Sequence, residues 1–331
     1  MTNTKLIWAP ALAIALCAVC PAPAMAGGEP VKVSSASALK GMQDVVVGAF
    51  NVGFIFQSVD NTAQTGGLIG AFGGVTKAKS ELAGVSPDMM QAIADAAYAD
   101  FCDQLRAKGF TVVAPEPMFA HPEFKRVKFE PTPIEVGVQL DKKSTGKATY
   151  YKPAALAGQF MLPGDVVSSG FSGMGLMMAA GTNQYGVAQY AKAANQAVVD
   201  VTYLIDFSDA HKPGAFSYGG ITINSTMSVV DDYSKANVVT PAGKMATLTL
   251  KQPVAVAGDF VTMADTTKDA GVQQAANIMG GLLAARGFGG MKFGKTKTYT
   301  FTAKPGLYEQ GAAKAASLAN SRVVEQLAAL K

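Results

Sequence analysis

Few residues of this sequence belong to the types that most often carry out catalysis. The 331 residues include two histidines and three cysteines, and histidine triads, cysteine nucleophiles and zinc sites draw on these types. His121 lies in a proline-bounded segment, whereas His211 lies near Asp206 and Asp209 in the stretch DFSDAH. These three side chains could hold a metal, but their spacing matches no known metal-binding template. We expect a solvated polar turn there, and neither a metal site nor a catalytic site.

One segment matches a nucleotide-binding pattern by its letters alone. Residues 289–296, GGMKFGKT, fit GxxxxGK[ST], in which backbone N–H groups cradle phosphates and the lysine reaches the terminal ones. Such a loop follows a strand and opens a helix. Here a predicted helix precedes the segment and the alternating stretch KTKTYTFTA follows it. We therefore predict a glycine-rich turn into a strand, with no nucleotide and no other cofactor.

The first 26 residues have the three parts of a secretory signal peptide. Lys5 precedes an apolar run from Leu6 to Cys20, and the stretch PAPAMA then ends at Ala26. The run is shorter than the roughly 20 residues that a spanning helix needs, so we expect cleavage after Ala26. Neither Cys17 nor Cys20 follows the small residue typical of a lipidated cysteine, although the sequence leaves lipidation open. The predicted location is the periplasm, or an association with the outer membrane.

Charge and cysteine content narrow the possible functions further. Only 16% of the residues are charged, against about 25% in a typical soluble domain. The net charge of +4 is small and spread along the chain, which argues against a nucleic-acid-binding protein. Removal of residues 1–26 leaves Cys102 as the one cysteine. It follows Phe101 on an apolar helical stripe, and we expect it to be a small residue in or near the core.

Strand and helix patterns alternate along the rest of the chain. The run from 45 to 56, VVVGAFNVGFIF, is typical of a buried strand. Ser86-Pro87-Asp88 opens a helix that Gly109 ends, and FTVVA at 110–114 is the next strand. This order predicts a βαβ unit.

A predicted antiparallel hairpin follows later in the chain. Residues 197–207 alternate, with Asp200, Thr202 and Asp206 on the face opposite the valines, and residues 221–231 repeat the alternation. Other predicted elements are helices at 183–195, 272–286 and 308–330 and strands at 245–250, 254–263 and 295–303. Residues 115–153 carry many prolines, and we interpret them as an irregular excursion. The fold class is therefore α/β (α+β): a single domain, 27–331, with a mixed sheet, one βαβ unit, antiparallel hairpins and helices on both faces.

Three glycine-rich apolar segments, 66–74, 170–181 and 280–294, suggest contact surfaces. Soluble loops are usually polar, so exposed loops of Gly, Ala, Met, Leu and Phe indicate a partner or a lipid surface. The alternative is that they pack against the core as tight turns. The candidate interface residues are Leu68, Ile69, Phe72, Phe171, Met174, Met177, Met178, Phe288 and Met291.

Four stretches carry a resemblance to a known family. They are VVVGAFNVGF, MMQAIADAAYADFCDQLRAKGFTVV, QYAKAANQAVVDVTYLIDFSDA and YEQGAAKAASLANSRVVEQLAAL. Their order resembles that of the curli secretion channel and its exported bacterial relatives, a group with an αβα domain that is also similar to the N-terminal domain of TolB. The resemblance implies an αβα architecture without enzymatic activity, and therefore no catalytic residues to carry over.

Together these observations predict a non-enzymatic, exported envelope protein. It would form a homo-oligomer or bind an outer-membrane or secretion partner through the glycine-rich apolar loops, with possible peripheral contact to the outer membrane. The alternative is a periplasmic ligand- or metal-binding protein, or an exported enzyme, that uses carboxylates such as Asp206 and Asp209. A third reading is that strands within 245–263 insert as a β-hairpin of a ring-shaped pore.

Overall fold

The computed structural model describes residues 29–61, 77–141, 144–166, 172–211, 222–267 and 296–331. Within these ranges thirteen strands form one mixed sheet, and four α-helices and two short 3-10 turns accompany it. The strands are β1 Val31–Ser34, β2 Asp44–Asn61, β3 Lys77–Ala83, β4 Thr111–Val113, β5 Ile134–Asp141, β6 Ser144–Tyr151, β7 Ala197–His211, β8 Thr222–Val229, β9 Lys235–Val239, β10 Met245–Leu250, β11 Val254–Val256, β12 Val261–Asp265 and β13 Thr296–Ala303. The helices are α1 Pro87–Ala107, α2 Glu116–Ala120, α3 Ser172–Ala194 and α4 Leu307–Leu330.

Strand β2 lies at the centre of the sheet, whose main path runs β1-β10-β9-β7-β2-β3-β13-β12. It pairs in parallel with β7 and with β4, and antiparallel with β3 and β6. Residues 45–55 of β2 are all buried, which explains the almost uninterrupted apolar sequence of this strand. The predicted α/β class with a mixed sheet is confirmed.

Helices cover both faces of the sheet, as predicted. On one face, α1 and α4 lie side by side, and the small residues of α4 allow close approach. The amide of Asn320 on α4 donates to the carbonyl of Ala97 at 2.9 Å and to the Asp100 carboxylate at 2.7 Å. On the other face, α3 packs on β7 and β9 together with the 3-10 turn Pro122–Arg126.

The helix α1 begins and ends where the sequence predicts. The Ser86 hydroxyl accepts a hydrogen bond from the Met89 amide at 3.2 Å, and Pro87 occupies the first turn. Gly109 follows the helix with a φ of 78°, a left-handed conformation that glycine adopts without strain. The chain then enters β4, which pairs in parallel with β2 and completes the predicted βαβ unit.

One sequence prediction of local structure is wrong, and another places the start of a helix too late. Residues 115–153 are not an irregular excursion throughout, because they include α2 and the antiparallel hairpin β5–β6. The alternating apolar residues of β5 and β6 decide the structure there, and the prolines lie outside the two strands. The helix predicted at 183–195 begins earlier, at Ser172. The Ala and Met residues of 172–182 favour a helix strongly enough to outweigh the glycines among them.

Other predicted elements differ in extent or lie outside the described residues. The hairpin of β7 and β8 is confirmed. The segment 245–263 is not a hairpin, because β10 pairs with β9 and β1, β11 pairs with β8, and β12 pairs with β13. The predicted signal peptide and the predicted helix at 272–286 lie outside the described residues, as do 289–295 of the P-loop-like segment; its last residue, Thr296, begins β13.

Candidate functional site

Among the described residues, the most unusual exposed surface is one side of α3. Met174, Met177 and Met178 expose 56%, 69% and 73% of their surface, and Tyr185 exposes 54%. Their spacing of three, four and seven residues places them on one side of the helix. We call these four residues the methionine face. Of the candidate interface residues, the three methionines lie here, on a helix and not in the predicted loop.

The remaining interface candidates cannot be placed on this surface. Leu68, Ile69, Phe72, Phe171, Phe288 and Met291 lie outside the described residues. Phe171 directly precedes α3 and belongs to the same glycine-rich apolar segment, 170–181, as the three methionines.

The methionine face is free of charge. Residues 172–191 contain no Asp, Glu, Lys or Arg, and Lys192 in the last turn is the first charged residue of α3. The solvent-facing side of a surface helix normally carries charged residues. Added Cβ atoms at Gly175 and Gly181 would meet no atom of the described residues within 4 Å, so within that part of the chain both glycines leave open space beside the methionines. Arg126 borders the face, with its guanidinium 5.8 Å from the centre of the Tyr185 ring.

Contacts on the buried side of α3 fix which side of the helix faces solvent. The Asn183 side chain accepts from the Lys128 amide at 2.7 Å and donates to the Met161 carbonyl at 3.1 Å. Val187 and Tyr190 pack into a buried cluster with Phe124 and other apolar residues of this layer. The helix therefore cannot rotate its methionines inward without losing a buried amide's hydrogen bonds.

The carboxylates that the sequence suggested lie on or near β7. Asp206 is mostly buried, and its Oδ1 accepts from the Ser208 amide at 3.1 Å. Burial raises the pKa of Asp206 to about 7; the Ser208 and Phe207 amides oppose this increase, and the nearby Asp60 adds to it. Asp209 and His211 follow in β7 and pair in register with Asn224 and Thr222 of β8. Their side chains lie outside the described part of the structure.

The described ranges contain neither a metal-binding cluster nor a helix suited to span a membrane. No group of three or more His, Cys, Asp or Glu side chains is arranged to hold a metal ion there. Among the helices of those same ranges, none combines the length and apolarity needed to cross a membrane.

A groove of about 460 Å³ lies where β4 and the segment after β6 meet helix α1. Tyr98, Cys102 and Arg106 line it from the helix, and Pro153 and Ala154 line it from the opposite side. Burial raises the pKa of the Cys102 thiol, and a protonated, buried thiol is a poor nucleophile. This agrees with the predicted role of Cys102 as a core or near-core residue.

Sequence reasoning missed a buried polar cluster beneath α3 and the segment that precedes it. Asp165, Asp200 and Asn237 are 2%, 0% and 0% exposed. The Asn237 amide donates to Asp165 Oδ1 at 2.6 Å, and the Leu162 amide donates to Asp165 Oδ2. The alternation of β7 placed Asp200 on the polar face, and polar faces are normally solvated. Only the long-range fold shows that this face is covered.

Comparisons with protein-family models, with curated proteins and with solved structures found no match to this chain.

The raised pKa of Asp206 predicts a measurable pH dependence of stability. In the unfolded chain an Asp titrates near pH 4, whereas the folded protein keeps this proton up to about pH 7. The proton's contribution to stability is therefore present below pH 4 and is lost as the pH rises from 4 to 7. Asp206→Asn should remove this loss, which we expect to be about 1–3 kcal/mol because one pKa unit corresponds to 1.36 kcal/mol and the carboxyl is partly exposed.

Urea unfolding at pH 4.5, 6 and 7.5 measures this difference. Asp259→Asn, a change of the same chemistry at an exposed carboxylate paired with Lys304, should leave the pH profile of the wild type unchanged. Parallel profiles for the wild type and Asp206→Asn would show that Asp206 does not titrate in this range.

Proposed function

We propose that this protein is a non-enzymatic, exported envelope protein that assembles through the methionine face of α3. The observation that carries the proposal is a helix side with four large, exposed and uncharged side chains. Methionine is flexible and polarizable, and exposed methionine surfaces are common where a protein binds a partner. Contiguous apolar surface on a soluble chain indicates a contact site.

A second copy of this chain fits the face better than a lipid surface does. Helices that lie on membranes combine their apolar side with Lys and Arg on the polar side, and α3 has one lysine, Lys192. The face carries both protruding methionines and open space at Gly175 and Gly181. Such a surface can pair with itself around a two-fold axis, methionines of one copy lying over glycines of the other.

The size of the face is sufficient for a measurable contribution to assembly. Full burial of a Met side chain stabilises by about 1.5–3 kcal/mol. Because each of the three methionines is more than half exposed, covering all three should contribute roughly 3–6 kcal/mol. A loss of about 3 kcal/mol weakens an association constant roughly hundredfold.

Replacement of the three methionines with glutamine tests the proposal. The variant Met174→Gln/Met177→Gln/Met178→Gln keeps side-chain length and helix propensity but removes the apolar surface. We expect the wild type to sediment as a species larger than one chain, and the variant to need at least about a hundredfold higher concentration to do so.

A matched control uses three exposed apolar residues elsewhere. Met263→Gln/Leu307→Gln/Leu318→Gln alters side chains that are 48%, 46% and 43% exposed, and should sediment like the wild type. A wild-type protein that stays a single chain at all concentrations, and is not recovered with the membrane fraction, would contradict the proposal. Loss of assembly in both variants would show that the methionine face is not the specific contact.

The export part of the proposal has its own measurement. The intact mass of the protein from the periplasmic and membrane fractions should correspond to a chain that begins at Gly27, without added lipid. A chain that retains residues 1–26 in the cytoplasmic fraction would contradict export, whereas a larger mass with a modified cysteine would show a lipid anchor.

A further inference from the structure

A segment of irregular backbone covers the polar face of the central strands. Residues 153–166, which we call the strap, connect β6 to the chain that leads into α3. Phe160 and Leu162 of the strap are fully buried, and they pack with residues of β2, β7 and α3. The strap therefore lies between α3 and the sheet and contributes to the layer on which α3 rests.

Side chains from three other elements hold the strap in place. The Asn51 amide of β2 donates to the Phe160 carbonyl at 3.0 Å, and the Asn183 amide of α3 donates to the Met161 carbonyl at 3.1 Å. The Lys235 ammonium of β9 donates to the Gly164 carbonyl. These contacts satisfy carbonyls that irregular backbone would otherwise bury without a partner.

Two carboxyl groups face each other where the strap meets β7. Asp165 of the strap accepts hydrogen bonds from the Asn237 side chain and from the Leu162 amide. The Thr247 hydroxyl donates to Asn237 Oδ1 at 2.7 Å, so the amide nitrogen of Asn237 is the atom that faces Asp165. Neither oxygen of Asp200 has a donor in hydrogen-bond geometry among the described residues, and the nearby Leu162 amide only partly offsets the rise in its pKa. The Asp200 carboxyl faces that of Asp165, which is its interaction partner.

Charge balance in this buried cluster calls for one proton. Two ionised carboxylates and one ammonium, that of Lys235, would leave a net negative charge away from water. Burial of unpaired charge is costly, and two adjacent carboxyls commonly share a single proton. With one proton the cluster is neutral, and the protonated carboxyl donates the hydrogen bond that the pair otherwise lacks.

We propose that the Asp165–Asp200 pair shares one proton, and that this proton keeps the strap bound to the sheet in a pH-dependent way. When hydroxide removes the proton, the two carboxylates repel each other across the strap–sheet contact. The strap then separates from β7 and β9, and the amino-terminal half of α3 loses the Asn183–Met161 contact beneath it. This inference stands apart from the proposed assembly function and does not require it.

The other charged groups near the pair do not replace this proton. Lys235 from β9 is the cation that faces both carboxyls, and Tyr150 from β6 is a further titratable neighbour, of Asp165. The Asp232 carboxylate raises the pKa of Lys235, and the Lys251 ammonium lowers it. The polar side chains from β2, α3 and β10 are Asn51, Asn183 and Thr247, none of which titrates.

The direction of the pKa shifts agrees with a shared proton. Burial raises the pKa of Asp165 to about 6, and its hydrogen bonds and Lys235 limit the increase. Burial, together with the charge of Asp165, raises the pKa of Asp200 well above its usual value. A proton that the closed pair shares is released when the strap opens, so closure of the strap weakens as the pH rises.

Hydrogen exchange of the strap measures this directly in the full-length protein. Exchange of residues 153–166 is followed by mass spectrometry from pH 6 to pH 9 and corrected for the intrinsic rate. If opening releases one proton, the opening constant should rise with pH in the wild type, by up to about tenfold per unit, until the closed pair itself loses its proton. In Asp200→Asn it should be nearly constant, because the amide donates to Asp165 without a titratable proton.

A variant on the same strand serves as control. Asp206→Asn removes another carboxyl of β7 with a raised pKa, away from the strap, and should keep the wild-type slope for residues 153–166. Infrared spectra at neutral pH should contain a protonated carboxylic acid band that is weaker in Asp200→Asn, in which Asp206 still contributes. If Asp200→Asn does not fold, Asp165→Asn and the wild-type slope give the same test.

Three outcomes would overturn the inference. The first is strap protection in the wild type that does not change with pH. The second is the same slope in the wild type and in Asp200→Asn. The third is a wild-type slope that disappears on addition of millimolar Ca²⁺ or Mg²⁺, which would show that a cation and not a proton binds between the carboxyls.

Discussion

The parallel pairing of β2 with β7 is the contact on which the rest of the structure depends. The two strands run together from the pair Val45–Ala197 to the pair Phe54–Ile205. Almost every residue of both strands in this stretch is buried, so the pair has no solvent-facing side. Parallel strands joined in this way require a layer on each face, and the positions of the helices follow from that requirement.

The two helical layers cover faces of the sheet that differ in polarity, and this difference explains why the strap lies on only one of them. Toward α1 and α4 the strands present apolar side chains such as Phe50 and Val52, which packing alone can satisfy. Toward α3 they present Asn51, Asp200 and Thr202. Buried polar groups need partners, and a helix with its backbone bonds already made supplies few of them. The irregular strap offers the Phe160 carbonyl to Asn51 and places the Asp165 carboxyl against that of Asp200, and α3 lies over it with its methionines outward.

Much of this architecture could be predicted from local sequence signals. The Ser-Pro-Asp start of α1, its glycine stop and the terminal helix α4 depend on capping and periodicity, which neighbours in sequence determine. The β7–β8 hairpin was also predictable from alternation. The hairpin β5–β6 was not, because prolines on either side of it hid two short alternating stretches.

The candidate site was predicted in composition but not in conformation. Met174, Met177 and Met178 were expected to be exposed contact residues, but their helical arrangement was missed because the glycines of that segment suggested a loop. The Asp165–Asp200 pair could not be predicted, since its members are far apart in sequence. Alternation in β7 assigns Asp200 to a solvated face, and only the strap, which carries no periodic signal, shows that the face is buried.

The most direct test of the central claim, assembly through the methionine face, is hydroxyl-radical footprinting of the protein at high and low concentration. Met263 serves as an internal reference because it is 48% exposed, less than Met177 and Met178. The account predicts that Met177 and Met178 oxidise more slowly than Met263 in the concentrated protein and faster after dilution. Faster oxidation of Met177 and Met178 at both concentrations would contradict it.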